Sequence, residues 1–264
     1  MNKIIHNTII ITLIIILFIL LGYLYKHNFY DYYGINPYNT EKINIPLYCF
    51  WTGNNAMTEN REKNIKTLKW TGFDVNLITQ DNLNDYILDN EPLHDGYQYL
   101  SETHKSDYLR CYFMHFYGGG YSDIKNTRYS WVDSYKLMKQ NNKWINGYPE
   151  KSSIDIALSD DKNMNEILKK YYYKLIGNGS YIIEKNTQFT NEWYSEMLKM
   201  MDSKYEELKK YPARKPRENH PHDNDDYKYP IRWGQFNCIF HKLIYKYNDK
   251  VLQTLPRIDM RSYL

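Results

Sequence analysis

The stretch IPLYCFWTGNNAMTENREKNIKTLKWTGFDVNLIT, residues 45–79, decides the fold. Its opening, residues 45–51, is a short apolar run of the kind that forms a buried strand, and Thr52, Gly53 and Asn54 follow it as a turn. Over residues 59–70 the spacing of Ile65, Leu68 and Lys69 is helical. Residues 73–79 then alternate apolar and polar side chains, the period of a strand. Strand, helix and strand in that order predict a βαβ unit and a parallel sheet.

Working outward, residues 101–117 predict a second helix, because Leu109, Tyr112, Phe113 and Phe116 fall on one face at i, i+3, i+4 and i+7. Gly118, Gly119 and Gly120 end it, and residues 121–124 are expected as the next strand. The expected class is therefore α/β, a Rossmann-like, mostly parallel sheet with flanking helices. Ligands of such open sheets bind outside the carboxyl ends of the strands. Residues 51–54 and 123–125 both stand there and should line one cleft.

Upstream, residues 9–24 read IIITLIIILFILLGYL, uncharged and almost wholly apolar. With Thr8 and Tyr25 the run approaches the roughly 20 residues that span a bilayer. No small-x-small cleavage site follows Leu21, so an uncleaved signal anchor fits better than a signal peptide. Lys3 and Lys26 flank the run with little asymmetry; the orientation expected is a cytoplasmic N-terminus with the remainder across the membrane, on a lumenal side. The organisation expected is an anchor over residues 1–28, a short stem over 29–44 and one globular domain over 45–264.

Composition bounds the partners. The 264 residues suffice for one α/β domain with a short appendage. A net charge of +3, from 34 basic and 31 acidic residues, carries no surplus of the kind that drives nucleic-acid binding. The 29 tyrosines suit surfaces that stack on bases and sugar rings, but an AT-rich genome enriches Tyr, Asn, Lys and Ile alike. Cys49, Cys111 and Cys238 form no CxxC pair, so neither a zinc site nor a disulfide framework is signalled.

On the helix of residues 101–117, Asp107 and Arg110 are three apart and share a face opposite Leu109 and Phe116. Taken alone they read as a solvated ion pair on an amphipathic helix. The surrounding string HKSDYLRCYFMHFYGGGYSDIK, residues 104–125, resembles the SD-xx-R … GG-x-Y-x-DxD signature of DXD-type GT-A glycosyltransferases. The likeness is to the capsular-polysaccharide-synthesis type and to the sugar-transferase family that includes the glucosylating toxins.

That resemblance implies residue roles. Asp107 and Arg110 would hold hydroxyls of a donor sugar, a carboxylate accepting from vicinal hydroxyls and a guanidinium donating in a planar fork. Trp51, in a pattern resembling FW-x-G, would stack on the uracil of a nucleotide, and Tyr121 would join the donor-binding set. Asp123 matches the first carboxylate of the DxD motif, which holds a divalent cation, Mn²⁺ or Mg²⁺, against the donor diphosphate. Lys125 replaces the second. On an extended chain the two side chains would point the same way, so one hypothesis is that Lys125 bonds the diphosphate directly and partly does the metal's work.

The resemblance extends more weakly to the rest of the chain. Residues 177–202 look like a second sheet segment with a strand and an amphipathic helix carrying Trp193 and Leu198. Asn178 opens a glycosylation sequon and is expected in a structural or cleft role. Residues 229–241 resemble the carboxyl-terminal segment that folds over the donor, and His241 is its candidate metal ligand. Between these parts, residues 212–227 crowd His220, His222, Asp223, Asp225 and Asp226 together; no ligand spacing is met, so a mobile acceptor-side loop is expected rather than a metal cluster.

The function these implications favour is transfer of a hexose from a nucleotide sugar, UDP-linked, to a glycan hydroxyl, with retention of configuration by family analogy. Two alternatives belong to other classes: a membrane-tethered sugar-nucleotide-binding protein without activity, and a membrane-anchored scaffold or lectin without a nucleotide site.

Overall fold

The computed structural model describes residues 2–222 and 226–259, with residues 2–6, 22–29 and 31 described by backbone alone. In chain order the principal elements are α1 (Asn2–Tyr32), β1 (Pro46–Trp51), α2 (Glu59–Thr67), β2 (Asp74–Thr79), α3 (Glu102–Phe116), β3 (Gly119–Ser122), α4 (Val132–Gln140), β4 (Ile145–Pro149), α5 (Lys162–Lys170), β5 (Ile176–Ile183), α6 (Gln188–Lys210), α7 (Gln235–Lys246) and β6 (Val251–Leu252). The strands form one sheet in the order β2-β1-β3-β5-β4-β6. β1 pairs in parallel with β2 and β3, and β4 with β6, so the sheet is mostly parallel with helices flanking it, an α/β arrangement compatible with a Rossmann-like fold. Only β5 runs against both of its neighbours.

The period of two along β1 divides the interior. Tyr48 and Phe50 face the core shared with Tyr108, Tyr112 and Phe113 of α3 and with residues of α6 and α7. Leu47 and Cys49 face the opposite core, with Leu68, Trp131 and Met138. Such fully buried side chains contribute roughly 1.5–3 kcal/mol each. Ser101 starts α3 as its N-cap, its hydroxyl accepting from the His104 amide at 3.4 Å.

β3 begins earlier than the glycines suggest. Gly118 ends α3 in the left-handed region, while Gly119 and Gly120 belong to the strand itself. They are there for closeness: a methyl on Gly119 would lie 2.5 Å from the Pro46 carbonyl oxygen, and one on Gly120 would meet Leu47 at 2.8 Å. The strand also stops at Ser122, short of the expected Ile124.

Beyond it the chain turns, the Lys125 amide donating to the Asp123 carbonyl at 2.7 Å. Residues 123–125 are therefore not extended, which changes how Asp123 and Lys125 meet.

Residues 35–39, within the expected stem, pack on the domain. Ile35 is buried, and the Asp133 carboxylate on α4 accepts from the Asn36 amide and the Asn39 side chain, both at 2.8 Å. In α1, the large apolar side chains from Ile9 to Leu21 are 42% to 70% exposed. Among the described residues, no helix is long and apolar enough to cross a membrane. At a rise of 1.5 Å per residue the described apolar run is about 20 Å long, against about 30 Å of hydrocarbon. The rest of the span expected over residues 8–25 lies outside the described side chains. All three cysteines are free and buried.

Candidate functional site

The carboxyl ends of β1, β3 and β4 open into a cavity of about 630 Å³, within the range of small-molecule sites. Trp51, Asp107, Arg110, Tyr121, Asp123, Lys125 and Asn178 all line it. Seven positions drawn from β1, α3, β3, the turn after it and β5 thus converge on one cleft. Trp51 sits at the rim, its indole Nε1 donating to the Asn55 carbonyl at 2.7 Å, which fixes the ring over the turn of residues 52–55.

The floor is an alternating chain of charges. Asp107 Oδ1 is 2.9 Å from Arg110 Nη1, Arg110 Nη2 is 2.9 Å from Asp123 Oδ1, and Asp123 Oδ2 is 2.8 Å from Lys125 Nζ. The turn after β3 makes the last pair possible by folding Lys125 back on Asp123, so the two do not stand side by side toward a ligand as an extended chain would have them. Tyr121 donates its hydroxyl to Asp123 Oδ1 at 2.6 Å, and the Arg110 guanidinium lies 4.6 Å over its ring. Tyr121 is 2% exposed, so it holds Asp123 and Arg110 in place rather than presenting its own hydroxyl.

Asp107 and Arg110 are not a solvated pair: their side chains are 6% and 12% exposed. Burial pushes the Asp107 carboxyl up to about 6 against the pull of Arg110. Burial also works against ionisation of Asp123, but Lys125 and Arg110, with the hydrogen bonds from Lys125 and Tyr121, outweigh it and hold that carboxyl at about 2. Asp123 is thus a fixed anion and Asp107 an adjustable one.

His241 stands elsewhere. It is 2% exposed, with Nδ1 accepting from the Ala157 amide at 3.2 Å and Nε2 3.8 Å from Glu150 Oε1. The cleft wall reaches Glu150 and not the histidine behind it. Burial lowers the imidazole to about 4, so it is neutral at pH 7. Among the described residues, no group of three or more His, Cys, Asp or Glu side chains converges as a metal site. Asp223 and Asp225 lie outside the described residues.

The 212–227 segment reaches the cleft through Pro216, Arg217 and His220 and is tied down, not loose, in this part. The Thr103 amide donates to the Pro216 carbonyl at 3.1 Å, and the Glu218 carboxylate accepts from the Arg214 amide at 2.7 Å. The His220 ring meets Trp233 edge-on at 4.7 Å, and Trp233 joins the lining just before α7. His104 and Tyr229, stacked 5.6 Å apart and bonded at 3.0 Å, fasten the segment entering α7 to the start of α3.

Sequence reading missed Tyr148, Glu150, Trp233 and Arg257. Tyr148 and Glu150 follow the same rule that found Trp51, since both stand at the carboxyl end of a strand, β4. Glu150 is 8% exposed and its carboxyl is pushed up to about 7, by burial first and then by Asp155, with Arg257 opposing. A cleft carboxyl in that range can give or take a proton at neutral pH. Asn178 and Arg257 each keep a buried nitrogen without a partner, as does Arg110 at Nε.

No protein-family model, curated protein or solved structure matches this chain.

Proposed function

We propose that this protein is a glycosyltransferase with a GT-A-like domain, moving a hexose from a nucleotide diphosphate sugar, a UDP-sugar, to a hydroxyl of a glycan acceptor. One observation carries the reading: Trp51, Asp107, Arg110 and Asp123, singled out by the motif, line one cavity at the carboxyl ends of parallel strands. In this reading the Trp51 indole stacks on the base. Asp107 accepts from sugar hydroxyls, and the Arg110 and Lys125 cations face the diphosphate as charge develops on it. The chain's contribution is then positioning and charge stabilisation, with Tyr121 and Asp123 aligning the two cations.

A panel of nucleotide sugars tested on the full-length protein in detergent should single out one donor. At a hundred times its dissociation constant that donor adds about 2.7 kcal/mol of stability. At roughly 2–4 °C per kcal/mol for a domain of this size, the melting temperature rises by about 5–10 °C. Absence of any shift across the panel overturns the reading. The Lys125 substitution specifically favours a second reading, a sugar-nucleotide-binding protein without turnover; it would give the shift but release no UDP in the presence of glycan acceptors.

We also propose that α1 beds in a lipid bilayer. The exposure of Ile9 to Leu21, described above, leaves a surface that water disfavours by roughly 25 cal/mol per Å². The full chain should stay with cell membranes through an alkaline carbonate wash. Recovery in the supernatant would remove the anchor from the proposal.

A further inference from the structure

We infer that the cleft holds a diphosphate without a divalent cation, the Lys125 ammonium on Asp123 occupying the place a metal ion would need. The inference rests on the nucleotide-sugar reading for the identity of the anion, but its geometry is independent of it.

The carboxylate that stands in the metal position of the motif is already engaged. Asp123 Oδ1 accepts from both Arg110 and Tyr121, and Oδ2 accepts from Lys125. A dication approaching Oδ2 would come within contact range of an ammonium 2.8 Å from the same oxygen, a like-charge encounter that dehydration makes worse. Asp107 is bound to Arg110, and Glu102 to Lys105 at 3.2 Å. Glu102 keeps its second oxygen without a partner, but among the described residues no three acids, histidines or cysteines converge to hold a cation.

The donors, by contrast, are in surplus. Arg110 Nε, Arg257 Nε and Asn178 Nδ2 are buried on cleft-lining residues and have no acceptor. Arg61 adds a guanidinium beside them, its Nη1 bonded to the Ile124 carbonyl at 2.7 Å next to Lys125. Those unpartnered nitrogens have no surface open to the cleft; the cations that line it, Arg61, Arg110, Lys125 and Arg257, suit a ligand that is anionic and rich in acceptors. Phosphate oxygens have that character. Asp123 then acts as a positioning residue: a carboxylate that orients two cations toward the ligand rather than a metal ligand.

Calorimetric titration of UDP, of inorganic pyrophosphate and of uridine into the full-length protein tests this, once in excess EDTA and once in excess Mn²⁺. UDP and pyrophosphate are expected to bind in EDTA and no more tightly in Mn²⁺, which competes for both anions in solution, and uridine is expected to bind more weakly than UDP. Manganese paramagnetic resonance of the UDP complex should show no protein-bound Mn²⁺. Lys125→Met should weaken UDP roughly tenfold or more in EDTA, the effect of one charge-assisted hydrogen bond, and Lys125→Arg should restore most of it. The comparison of buffers needs only the unaltered chain, so a variant that fails to fold leaves the test intact. UDP binding that requires Mn²⁺ overturns the inference and leaves the nucleotide reading standing. Pyrophosphate binding in EDTA without UDP binding does the reverse, and binding of neither anion overturns both.

Discussion

Asp123→Asn should unfold about 10 °C below the parent protein and lose the stabilisation that a sugar nucleotide confers. The carboxylate accepts from Arg110, Tyr121 and Lys125 inside a cleft floor where it is itself only 19% exposed. Removing its charge leaves Arg110 with Asp107 and takes from Lys125 the carboxylate 2.8 Å away. Breaking a buried network on one side costs about 3–5 kcal/mol, more than the pair as a whole is worth, because the stranded charges stay desolvated.

Proton linkage gives a lower figure for the same group. A carboxyl held at about 2 instead of the ordinary 3.8 accounts for roughly 2–3 kcal/mol, present above pH 4 and lost as the pH falls through 2. The larger figure applies to Asn, whose amide must also turn a donor toward a neighbouring cation. Differential scanning calorimetry at pH 7 decides between them, and a loss within about 1 kcal/mol would mean the network does not hold the site. Asp107→Asn should cost less, since burial has already carried that carboxyl up to about 6.

How far the sequence alone reaches follows from what each signal contains. The βαβ unit was legible because β1 is a continuous apolar run and β2 alternates, periods that belong to the backbone and need no partner. The direction of β5 was not legible: α5 lies between β4 and β5, and a helix between strands reads as a parallel crossover whichever way the second strand is laid. For the site, helical spacing alone made Asp107 and Arg110 a solvated pair. Only the motif around them pointed inward, because burial of that face depends on elements distant in sequence, Tyr121 of β3 among them.

The turn at residues 123–125 is not legible for a related reason. Its hydrogen bond runs between main-chain atoms that no side-chain pattern reports, yet it converts two side-by-side charges into a bonded pair. Glu150 and Arg257 come from segments remote from the motif, and only the rule that ligands gather at strand carboxyl ends would have drawn attention to the first.

Glu150→Gln should make the protein more stable at pH 8–9 by up to about 3 kcal/mol and leave it unchanged near pH 4.5. The carboxyl sits at the end of β4, 8% exposed, with Asp155 raising its proton affinity and Arg257 opposing. Its folded value of about 7 stands above the ordinary 4.5, so between those limits the folded chain keeps a proton that the unfolded chain has released. Stability therefore falls as the pH rises through that window, by about 1.4 kcal/mol for each unit separating the two values, and is level above it. Its neighbour His241, held by burial at about 4, is neutral over most of that window. Gln has the same shape and no charge to bury, so the variant escapes the loss. Melting temperatures of both proteins at pH 4.5 and 8.5 test this; an equal difference at the two pH values would show that packing, not ionisation, separates them. A gain at high pH would mean that the parent chain forgoes stability to keep, in the wall of its cleft, a group that changes charge near pH 7. That is a property a proton-transfer step needs and a structural glutamate does not.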